Sequence, residues 1–142
     1  MRYAESLYST DEFEGSWHAL QENRLRRTTL PEEVKDLVRR VLTSGSAKSS
    51  ADLRNAVYAH VAALTRGEEP TAQVPADAQT YIRKVALDAY KVLDREVDAL
   101  RAGGHSVDDV FEMTVAASVS AGATRLEMAL AALEEANDAA AS

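Results

Sequence analysis

The carboxylates Asp88, Asp94, Glu96 and Asp98 gather within eleven positions, with Arg95 among them and Arg101 just beyond. Paired carboxylates suit acid–base chemistry, because two like charges held close drive one pKa up and leave that group able to donate a proton. The plainer reading is a solvated face laced by arginines, and the spacing alone favours it. Three histidines, His18, His60 and His105, lie far apart. None has a second ligand at the i, i+3 or i, i+4 spacing that a metal site on one helix requires, so no metal is expected. His60 reads as a half-buried, hydrogen-bonded histidine. His105, between Gly104 and Ser106, reads as a loop residue on the surface. There is no cysteine. That excludes disulfides, iron–sulfur clusters, thiolate zinc sites and every dithiol mechanism. No glycine-rich phosphate loop and no Ser/His/Asp signature appears, and no cofactor is implied.

These residues must be positioned by a chain of 142 residues, 46% apolar and 27% charged, with a net charge of −7. The acidic balance argues against binding nucleic acid or an anionic membrane surface, both of which need a positive footprint. No run approaches the roughly 18 to 20 apolar residues of a membrane span. The first residues carry early acids and no apolar core segment, so neither a secretory signal nor a transit peptide is expected, and the default compartment is cytoplasmic.

Periodicity predicts an all-α chain, a compact bundle of five to six helices ending in a long one. Residues 1–30 form an arm with a short helix from Thr10 to about Asn23, a lone Trp17 that should dock, and a basic run over 24–27. Residues 31–142 form one helical domain. Pro31 with Glu32 and Glu33 opens a helix whose inward face is Val34, Leu37, Val38, Val41 and Leu42. Ser49 or Ser50 caps the next, with Leu53, Val57, Val61 and Leu64 inward and Gly67 as the stop. Residues 67–76 form a loop. A third helix is predicted from Asp77 to Lys91, with Tyr81, Ile82, Val85, Ala89 and Val92 inward. A short helix capped by Asp94 follows and ends at Gly103-Gly104. Ser106 and Asp109 have the spacing of a capping box, and from there one helix runs to about Asn137. Its expected inward positions are Val107, Val110, Phe111, Thr114, Val115, Ser118, Gly122, Leu126, Ala129, Leu130 and Leu133. Ala117, Ala121 and Gly122 form a small-residue stripe expected to serve as a subunit seam.

The segment from Tyr81 to Leu133 resembles the carboxymuconolactone decarboxylase and alkylhydroperoxidase-D-like superfamily. The run VDALRAGGHSVDDVFEMTVAASVSAG, Val97 to Gly122, carries the resemblance, and RLEMALAAL, Arg125 to Leu133, resembles the tail of the same helix. The resemblance implies an all-helical subunit that assembles into trimers or hexamers. The peroxidase branch of that family carries a Cys-x-x-Cys-x-x-x-His motif before the glycine turn. Here those positions fall on Ala89, Val92 and Glu96, so thiol peroxidase activity is excluded.

Three functions fit. The first is a non-catalytic relative acting as an oligomeric binding or structural component, taking a small apolar ligand or a protein partner. The second is a cysteine-free enzyme of the decarboxylase or isomerase type, with Glu96 as acid/base beside Asp94 or His105. An active Glu96 should then be buried, with a raised pKa, beside an apolar pocket. The third is a helical adaptor docking through its N-terminal arm.

Overall fold

The computed structural model describes residues 29–142, and among them every regular element is helical. The expected arm helix, Trp17, His18 and the 24–27 basic run lie outside the described residues. Five α-helices follow in order: α1 Glu32–Thr43, α2 Ala51–Arg66, α3 Gln79–Leu87, α4 Asp94–Ala102 and α5 Val107–Ala141. Single 3₁₀ turns at Ala76–Ala78 and Ala89–Lys91 flank α3. One compact unit comprises Glu32–Leu126; the tail of α5 from Glu127 lies outside it.

Helix ends follow local chemistry. Ser50 Oγ accepts the Leu53 N–H at 3.1 Å and caps α2. Gly67, at φ 75°, ends it in the left-handed conformation that glycine adopts without steric cost. Ser106 and Asp109 exchange two 3.0 Å bonds and open α5 as a capping box. Leu93, not Asp94, is the N-cap of α4. The predicted third helix is corrected too: it stops at Leu87, where Asp88 takes φ −143° and ψ 49° and breaks the ladder. Ala89 is therefore exposed on a 3₁₀ turn, while Val92 stays partly buried against the core.

Within this first unit α2 packs against α1 and α3. Val57, Val61, Ile82 and Met113 are fully buried, each contributing about 1.5–3 kcal/mol relative to exposure. On α5 the buried face is Val110, Met113, Ala117, Ser120, Ala121 and Thr124, at steps of three and four, joined by Ala116 and Ala123. The expected face is thus rotated. Val107 and Phe111 are 59% and 64% exposed, and Gly122 also faces solvent. Small residues fill this face, and Ser120 Oγ donates to the Tyr58 carbonyl of α2 at 2.7 Å. Ala117 and Ala121 are consequently spent inside the unit, not left as a seam between subunits.

A buried ion pair ties this packing together. Arg54 is 3% exposed on α2. Its Nη1 donates to the Ser49 carbonyl at 2.6 Å, and its Nη2 to the carbonyls of Leu42 and Ser44 at 3.2 Å each. These carbonyls lie at the C-terminal end of α1 and in the loop to α2, where helix geometry leaves acceptors unsatisfied. Glu112 of α5 completes the clasp. It accepts the backbone N–H groups of Lys48 and Ser49 at 2.7 and 2.8 Å, bonds the Ser49 hydroxyl, and stands 3.5 Å from Arg54 Nη1. Burial pushes the Glu112 carboxyl up, but the bonds from Ser49 and Lys48 with the Arg54 charge outweigh it and hold its pKa below the ordinary value.

Arg54→Ala leaves three backbone carbonyls without this donor and removes the countercharge of the half-buried Glu112, so it should cost about 1–3 kcal/mol in denaturant unfolding. A glutamate whose folded pKa is depressed contributes stability that is fully present above its unfolded pKa and lost as pH falls through the folded one. Unfolding followed against pH should show that loss in the acid range, and Glu112→Gln should flatten it.

Candidate functional site

Glu96 stands in the first turn of α4, beside a cavity of about 160 Å³ that it lines with Asp77, Thr80, Tyr81, Ala99 and Leu100. The 3₁₀ turn and α3 supply one wall, and α4 the other. The carboxylate is already engaged. Its Oε1 accepts Lys84 Nζ at 2.6 Å, and its Oε2 accepts the Leu93 N–H at 2.9 Å. The second bond is a helix-capping contact, satisfying a donor that the helix start leaves unpaired. The hydrogen bond from Lys84, then that from Leu93, holds the carboxyl below its ordinary range. A group working as acid or base near neutrality needs the opposite shift. Glu96 thus has the apolar neighbours expected of a catalytic acid, but its charged form is the stabilised one.

The other candidates separate. Asp94, Arg95, Asp98 and Arg101 are all exposed on α4. Asp88 lies beyond the break after α3, where it pairs with Lys91 at 3.0 Å. The acids therefore do not share a continuous helix. Ala89 and Val92 do not line the Glu96 cavity, so the three positions that the resemblance aligns with a redox motif are not gathered there. His60 is half-buried, with Nδ1 3.0 Å from the Ala72 carbonyl, and anchors the 67–76 loop. His105 is more engaged than a surface loop residue. Its Nε2–H donates to Asp77 Oδ2 at 2.9 Å and Oδ1 at 3.1 Å, joining the α4–α5 turn to the 3₁₀ turn before α3. Asp77 in turn packs against Gly103, where an added Cβ would stand 3.0 Å from Oδ2. Among the described residues no group of three or more His, Asp and Glu could hold a metal ion. None of their helices is long and apolar enough to cross a membrane.

Two further cavities, which the sequence did not suggest, flank Phe111. One, about 230 Å³, is lined by Val41, Ala47, Arg54, Glu112, Val115 and neighbouring serines. The other, about 290 Å³, is lined by Tyr81, Val97, Arg101, Val107, Val110 and Thr114. Its floor is fixed by a 2.7 Å bond between the Tyr81 and Thr114 hydroxyls. A signal for the first was present: Arg54 lies three residues before Val57 and seven before Val61, on the apolar face of α2, where an arginine must find a partner.

Comparison of the chain with protein-family models, with curated proteins and with solved structures gives no match.

The geometry at Glu96 makes a direct prediction. Titration followed by carboxyl NMR should place Glu96 below an exposed glutamate, and Glu96→Gln should speed amide exchange in the first turn of α4 while leaving α2 protected. A midpoint above that of an exposed glutamate would restore the acid/base role.

Proposed function

We propose that the chain is a non-catalytic helical protein that works as an oligomeric binding or structural component. The observation that carries this reading is where the large apolar side chains stand. Val107 and Phe111 are each more than half exposed and line open clefts, Phe111 two of them, and Leu37 on α1 is 52% exposed. Apolar surface grouped in this way marks contact with a partner or a ligand, whereas scattered single residues do not. The one candidate acid is meanwhile consumed by Lys84 and its own helix start. The resemblance to alkylhydroperoxidase-D-like proteins supports the same reading. It rests on the short helix that ends at Gly103-Gly104 and the capped long helix that follows, and that family assembles from several subunits.

Native mass spectrometry of the purified full chain tests the proposal. The expected result is a defined assembly of 15.4 kDa chains, with the same mass for Glu96→Gln. A monomer at every concentration, with no stoichiometric ligand, would overturn it.

A further inference from the structure

The first helix of the compact unit has an apolar face that the described residues do not fully cover. The sequence of α1, EEVKDLVRRVLT, is strongly amphipathic, yet no residue of the helix is buried. Val34, Val38, Val41 and Leu42 are half-buried, and Leu37 is 52% exposed. Twelve residues make about 18 Å of helix, a length that is marginal in water unless its apolar face packs on something. The strip does not end with α1. Val41 also lines the cleft whose other wall carries Phe111, so exposed apolar surface runs from Leu37 past Val41 to Phe111.

The charges bordering this strip are self-complementary. At 100° per residue, Glu33 and Arg40 lie together on the border next to Leu37, roughly 10.5 Å apart along the axis. Acids occupy the first turn and arginines the last. A second copy laid antiparallel across Leu37 therefore sets each Glu33 beside the partner subunit's Arg40, and the two helix dipoles oppose favourably. A parallel copy in register would put acid turn against acid turn and arginine against arginine. Within the helix Glu32 binds Lys35 at 2.7 Å, and Asp36 holds Arg39 and also contacts Arg40 through Nη2, with the Arg40 side chain still 79% exposed.

We propose that α1 is a self-association helix, pairing antiparallel with α1 of a second copy about a two-fold axis near Leu37. This rests on the oligomeric reading above and gives it an interface. Such a contact is isologous, so closed assemblies built through it hold an even number of chains.

Sedimentation velocity across a concentration series, on full-length chains whose helicity is checked by circular dichroism, tests the pairing. Leu37→Glu should weaken association by roughly tenfold or more. Glu33→Arg and Arg40→Glu should each weaken it alone, since each sets like charges in opposition. Mixed together, these two single variants should associate with each other as well as wild type does, because every opposed pair is then of opposite sign. An assembly indifferent to all three substitutions, or one that the mixture fails to restore, would overturn this interface and leave the oligomeric reading standing. An assembly with an odd number of chains would do the same. A monomeric wild type would remove both.

Discussion

The buried guanidinium of Arg54 is the constraint on which the rest of the compact unit depends. Removing it from water is costly unless its donors are met; Nη1 and Nη2 find backbone carbonyls at the end of α1 and in the following loop, while the buried Nε has no partner among the described residues. Glu112 supplies the countercharge from α5 and caps the backbone N–H groups of Lys48 and Ser49. One side-chain pair thus settles four things together: where α1 stops, how the loop turns, where α2 begins and how α5 is rotated. A buried pair of this kind adds little net stability over an apolar replacement of the same shape, but losing one partner is severe. Its contribution is to specify one arrangement of these helices.

That rotation has consequences for the surface. With Glu112 turned toward Ser49, Met113 enters the core, and Phe111 and Val107 face outward. Ala116, Ala117 and Ala121 of α5 share one buried cluster with Val57, Val61, Ile82, Leu100 and Met113. Aromatic and aliphatic bulk is left at the rim, beside α1 and above the Tyr81–Thr114 floor. A fold that could have buried Phe111 instead offers it to solvent. This is the physical basis for reading the molecule as a component that binds through its surface.

Around Glu96, polar side chains bridge short elements. Lys84 crosses from α3 to α4, Leu93 is capped, and His105 holds Asp77 across the adjoining turns. Each titratable side chain there closes a gap between short elements. The break after Leu87 makes those contacts necessary, because neither α3 nor α4, at nine residues each, is long enough to persist alone.

Much of this was legible in the chain. Helix content, the Ser50 cap, the Gly67 stop and the Ser106–Asp109 box follow from local chemistry within a few residues, and local chemistry is written in sequence. The absence of cysteine excludes thiol chemistry whatever the fold. What only tertiary structure decided was orientation. An α5 rich in alanine and serine has so weak an apolar periodicity that several faces could have turned inward. The choice fell to a charge on another helix, more than fifty residues away. The role of Glu96 was equally invisible, since Lys84 lies twelve residues before it on a separate helix, and a carboxylate's chemistry depends on what stands within hydrogen-bonding reach. Sequence fixes which groups are present and where helices start and stop; the three-dimensional packing alone determines which charges meet.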